Sequence, residues 1–176
     1  MKRVLLFAFA LCCLFGAQAQ NSPEVKARIA EIRKMYADVK ETQEFLKQAE
    51  LPPNETVITN DYMAPGAGPI VDTYHYYYSG DFSEEAGDVL YVPFFITRKY
   101  NVGARDYYEE ILFDDDGSLA FFYEKTYLGE CRIYFSKGEV IHIIKDEEAD
   151  LMHGDDTELL LKYCNRLLSS FNMIMN

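Results

Sequence analysis

The sequence predicts an α+β domain, an antiparallel β-meander sheet of five to seven strands packed with an N-terminal and a C-terminal helix. Three observations carry that prediction. Apolar residues recur at helical spacing near both ends of the chain. Between Glu55 and Asp146 the period changes to two, and β-branched and aromatic residues dominate. The connections between those alternating runs are short, which permits antiparallel neighbours and excludes parallel crossovers.

Taken in order, residues 1–19 read as a signal peptide. Lys2 and Arg3 precede a twelve-residue apolar run, Val4 to Phe15, and Ala17-Gln18-Ala19 offers small residues for cleavage after Ala19. The run is too short to span a bilayer, which takes roughly 20 residues as a helix. Cys12 and Cys13 lie inside it and not at its end, which argues against a lipid anchor. The expected product is periplasmic or secreted, and residues 20–176 have the size of one domain.

Ser22-Pro23 has the chemistry of an N-cap and first helical position. Val25, Ile29, Ile32, Tyr36, Val39 and Leu46 then form one stripe on a helix of about 25 residues, which Pro52-Pro53 ends. Strands are expected near 55–62, 69–79, 88–99, 104–113, 118–127, 130–136 and 139–145. Hairpin turns are expected at Asn101–Gly103, Asp115–Gly117 and Ser136–Gly138. The segment MAPGAGP (Met63 to Pro69) reads as an irregular loop. Asp155 and Glu158 form a capping pair for a last helix striped by Leu160, Cys164, Leu167, Phe171 and Met175.

Charge narrows the function. Seventeen basic residues face 29 acidic ones, a net of −12. Removing residues 1–19 takes Lys2 and Arg3 and no acid, leaving 15 against 29, or −14. Such a chain repels phosphate backbones, so nucleic acid is excluded as a partner. Two of four cysteines leave with residues 1–19. In an oxidising compartment Cys131 and Cys164 are a disulfide candidate, and two buried thiols are the alternative; spacing leaves both open.

The stretch TRKYNVGARDYYEEILFDDDG, Thr97 to Gly117, with RIYFSKGEV downstream, resembles small exported bacterial proteins whose families carry no assigned function. The resemblance covers residues 55–145, rests on turn and strand chemistry, and implies nothing about activity.

Candidate sites follow from residue type. Tyr74, Tyr76 and Tyr78 share one strand face, as either a stacking platform or ordinary sheet material. Arg98, Lys99 and Arg105, beside Tyr100, make a small basic island near the Asn101–Gly103 turn. It could hold a carboxylate or phosphate, or pair with Asp106, Glu109 or Glu110 across the strands. His75, His142 and His153 have no neighbour at metal-ligand spacing. Asp114–Gly117 starts like a calcium loop, but position twelve is Lys125, so the pattern fails. No nucleophile motif is present, and nothing in the pattern asks for a cofactor.

The expected function is therefore an exported, non-catalytic domain that binds a ligand or a protein. One alternative is a hydrolase with a carboxylate/His site, which needs His75 or His142 in a pocket with an acid within about 3.2 Å. Another is a structural subunit of an envelope assembly, which needs Val25, Ile29 and Ile32 bare.

Overall fold

The structure, a computed structural model, describes residues 22–85, 87–147 and 156–175. The expectations for the signal peptide, His153 and Asp155 lie outside those residues. Within them, helix α1 (Pro23–Gln48) leads into seven strands: β1 (Glu55–Ala64), β2 (Gly68–Ser83), β3 (Asp88–Val102), β4 (Arg105–Phe113), β5 (Leu119–Thr126), β6 (Gly129–Ser136) and β7 (Glu139–Lys145). Helix α2 (Thr157–Met175) closes the chain. The strands lie side by side in sequence order, each antiparallel to the next. This is the predicted α+β meander at its upper strand count.

The two helices cover opposite faces of the sheet. Strand alternation produces two adjacent register rows that point opposite ways. Tyr76, Ile96, Ile111, Phe122 and Ile133 are successive cross-strand partners, and α2 packs on that row through Leu160, Cys164, Leu167 and Phe171. Tyr77, Phe95, Leu112, Phe121 and Tyr134 form the neighbouring row on the other side, where α1 lays Ile29, Ile32, Met35, Tyr36 and Val39. Because both faces are clad, the middle strands are buried on both sides, and β4 and β5 are buried along most of their length, Glu109, Glu110 and Glu124 included. Ile32 is fully buried against the sheet. Ile29, Ile32, Tyr36 and Val39 of the helical stripe are thus packed against the sheet.

Local chemistry fixes the ends. The Val25 N–H donates to the Ser22 hydroxyl at 3.1 Å, with Pro23 at the first helical position. Arg28 reaches Asp114 and ties the start of α1 to the β4–β5 turn. On α2 the cap sits one residue later than expected: the Asp156 carboxylate accepts the N–H groups of Glu158 and Leu159 at 3.0 and 3.1 Å. The MAPGAGP segment is a tight hairpin and not an irregular loop. Met63 pairs with Pro69 and Ala64 with Gly68. Gly66 and Gly68 supply the positive φ angles, +82° and +85°, that such a turn requires. Pro69 is tolerated because it stands at the start of its strand.

One feature was not foreseen. β1 pairs with β2 only as far as Tyr77, and β4 begins pairing with β3 at Phe95. Beyond those points Ser79–Ser83 and Asp88–Val92 pair only with each other, as a projecting two-stranded arm. Phe82, Val89, Leu90 and Val92 are exposed along it.

Candidate functional site

The residues singled out by sequence fall on both faces, and most are packed. Tyr74, Tyr76 and Tyr78 do share a face, but it is the one α2 covers. Tyr76 is buried and stacks on Phe171 at 5.5 Å, and Tyr78 meets the same ring at 5.4 Å. Tyr74 donates to Asp72 at 3.1 Å beneath Arg98.

The basic island is divided by strand alternation. Arg98 and Tyr100 face α2, whereas Lys99 points to the α1 side and is exposed. Arg98 is held in a buried network. Its guanidinium takes both Asp72 oxygens at 2.8 Å and Glu109 at 3.2 Å, donates to the Tyr163 hydroxyl, and lies 4.0 Å over the Tyr100 ring. Tyr163 also donates to Glu109 at 2.6 Å. Burial alone would lower the Arg98 pKa, but Asp72 and Glu109 more than offset it and hold the cation charged. Arg105 stays exposed, 3.9 Å over Tyr127. Arg98 therefore takes the cross-strand pairing that the sequence offered as an alternative, with Glu109, and adds Asp72.

Cys131 and Cys164 both lie buried in the α2-side core. Burial, with Glu109 adding to it, pushes the Cys164 thiol well above its ordinary range. His75 meets Glu55 on the outer strands, but neither residue lines any of the three clefts described below. Asp114 is engaged by Arg28, and Asp116 accepts the Ser118 N–H at 2.8 Å, which is turn chemistry.

The site that the structure assembles lies on the other face. Register aligns three rows across β4, β5 and β6 on the α1 side. These are Tyr108–Lys125–Glu130, Glu110–Tyr123–Arg132 and Leu112–Phe121–Tyr134. Above them α1 presents Arg33, Tyr36 and Lys40, spaced three and four apart and therefore on one helical face. Between helix and sheet lies a half-open cleft of about 490 Å³, lined by these side chains other than Leu112 and Glu130. That volume falls within the roughly 300–1,000 Å³ of small-molecule sites.

At the floor Glu110 is buried and fully engaged. One oxygen accepts from Lys40 and from the Tyr108 hydroxyl (2.8 Å), and the other accepts from Tyr36. Burial first, and then the Glu110 carboxylate, pushes the Tyr36 and Tyr108 hydroxyls well up, so both are neutral donors. Tyr123 is pushed up to about 12, again by burial first and then by Glu130.

The walls carry charge beside rings. Arg132 pairs with Glu130 at 2.8 Å and lies 5.2 Å over Tyr123. Lys125 reaches the same carboxylate at 3.4 Å. Arg33 lies 5.6 Å over Tyr134, and its one hydrogen bond among the described residues, to that hydroxyl, is long at 3.4 Å. Lys40 sits 5.4 Å over Tyr36. Such an array can hold an anionic group and cover the apolar part attached to it.

Sequence reasoning missed this cleft. The available signal was the repetition of a polar–aromatic pair at period two on three successive strands: Tyr108-x-Glu110, Tyr123-x-Lys125 and Arg132-x-Tyr134. Lys99 is the one expected residue near it, cross-strand from Tyr108.

Two other clefts are less suited to a charged ligand. One, of about 410 Å³, is an almost wholly apolar groove between the second half of α1 and Tyr77, Tyr78 and Phe94. The other, of about 470 Å³, lies between α2 and β1–β3 beside Arg98, four of whose donors are already taken. Set against protein-family models, curated proteins and solved structures, the chain matches none.

Proposed function

We propose that this chain is an exported, non-catalytic binding domain of the bacterial envelope that holds a small anionic ligand between α1 and strands β4–β6. One observation carries the reading. Arg33, Lys40, Lys125 and Arg132 converge on a single cleft in a chain of net charge −12. Gathering like charges costs repulsion, which an anion placed among them relieves. The lining supports binding rather than turnover. It contains no Ser, Thr, Cys or His, and its only carboxylate, Glu110, already accepts three hydrogen bonds. Export rests on the basic, apolar and small-residue order of residues 1–19.

Native mass spectrometry of the protein taken from its own host's cell envelope tests this. The expected result is a bound small acid that disappears in the Lys125→Gln/Arg132→Gln double variant. A ligand retained equally by that variant would place binding elsewhere, and a ligand consumed during incubation would replace a binding role with an enzymatic one.

A further inference from the structure

The geometry points to a more specific occupant, and this step rests on the anion-binding reading above. The ligand is a dianion, a phosphate monoester or a pair of adjacent carboxylates, joined directly to a flat ring. Its charge follows from the balance of the cleft. Lys40 is matched by Glu110, and Lys125 and Arg132 share Glu130. No carboxylate among the described residues lies within ion-pair distance of Arg33. Four cations thus meet two carboxylates, and two positive charges remain for a ligand to neutralise.

The surplus lies at the mouth and not at the floor. Arg33 and Lys125 are exposed and Arg132 is about two-fifths exposed, while Glu110 is 3% exposed beneath them. A doubly charged head would sit between Arg33 on the helix and Lys125 and Arg132 on the sheet. Lys40 and the floor tyrosines are left as they are, bound to Glu110.

The flat ring follows from how the cations are mounted. Arg33 lies over Tyr134 and Arg132 over Tyr123, each with the charge beside a ring face. A head group reaching either arginine brings whatever is attached to it against those rings. A planar body offers them stacking area that an aliphatic chain does not. The chain's own net charge of −12 opposes a polyanion, so the occupant is a small molecule and not a nucleic acid.

Calorimetric titration of the purified protein at neutral pH with four probes tests the inference. Phenyl phosphate and phthalate carry two charges on a ring, benzoate carries one charge on a ring, and inorganic phosphate has no ring. Each ringed dianion is expected to bind about tenfold or more tighter than benzoate and than inorganic phosphate, since one charge-assisted contact is worth that much. Whichever of the two is tighter identifies the head group as phosphoryl or dicarboxylate. Arg33→Gln and Arg132→Gln should each weaken the dianions about tenfold. Glu130→Gln should strengthen them, because it releases Lys125 and Arg132 from their shared carboxylate; a merely structural role for Glu130 would not produce a gain.

Benzoate binding as tightly as the dianions, with the arginine variants still weakening it, would overturn the dianion and leave the anion site standing. Inorganic phosphate binding as tightly as phenyl phosphate would overturn the ring. No binding by any probe to a protein that melts normally would overturn both readings.

Discussion

The two faces of the sheet use the same chemistry to opposite ends. On the α2 side an arginine, two acids and several tyrosines form a closed network. Arg98 is matched by Asp72 and Glu109, and α2 seals it with Tyr163. On the α1 side arginines, lysines, a buried acid and tyrosines form an open one, in which cations outnumber carboxylates. A buried charge must be compensated or the fold fails. A charge at a cleft mouth keeps its water and can exchange it for a ligand. Residue type therefore does not separate structure from site here; compensation and solvent access do.

The sharpest way to break this comparison is to remove one arginine from each face. Arg98→Ala leaves Glu109 and Asp72 buried without their cation, and should cost about 3–5 kcal/mol of stability. Arg33→Gln removes an exposed side chain whose contacts are a long, part-buried hydrogen bond and a ring face, both on Tyr134, and should cost at most about 1 kcal/mol. Urea unfolding of both variants measures the difference; equal losses would erase the distinction between the faces.

A finer cut removes one hydroxyl from each. Tyr163→Phe takes a hydrogen bond from a fully buried carboxylate, Glu109, and should cost roughly 1.5–3 kcal/mol. Tyr36→Phe takes one from Glu110, which keeps Lys40 and Tyr108 and lies below an open cleft. Its cost should fall at or below about 1 kcal/mol by the same reasoning. Thermal melts would rank the two, and the reverse order would mean that α1 seals its face more tightly than the cleft implies.

Alkaline pH probes both faces at once. Burial pushes Tyr76 on the α2 side and Tyr77 on the α1 side up to about 12, from an ordinary value of 10.0. The unfolded chain loses those protons first, so stability is fully present below pH 10 and falls as the pH rises toward 12. Urea midpoints measured across that window, with tyrosinate absorbance as the parallel readout, should decline together. A flat profile would mean that neither row is dry.

A small effect is also expected at the edge of the cleft's own helix. Ser22→Ala removes the α1 cap and should cost about 1 kcal/mol. If ligand affinity falls along with it, the cleft depends on how firmly α1 begins.

The fold was legible because its signals are local. Each strand carries its own period of two, and Asn101–Gly103, Asp115–Gly117 and Ser136–Gly138 mark where the chain reverses. The MAPGAGP hairpin was misread because Pro and Gly count as breakers until their positions within a turn are known. The arm was invisible because it depends on where β1 and β4 stop. The cleft was illegible for a stronger reason. It draws Arg33, Tyr36 and Lys40 from one helix and Glu110, Lys125 and Arg132 from three strands. Placing them together requires the register of β4–β6 and the choice of face on which α1 lands. Sequence alternation could say that Arg98 and Lys99 part company, but not which of them would be buried.

The strand order has a kinetic consequence. In a sheet that runs β1 to β7 without a crossover, each strand finds its partner across the next turn, so no long loop must close before pairing begins. Such a chain can grow by zipping hairpin onto hairpin, at the fast end for its strand content. The steps that span distance are the dockings of α1 and α2, which bring residue 28 to 114 and residue 163 to 109. Folding should therefore pass through a sheet formed before its helices are seated, with the cleft appearing only in the last step.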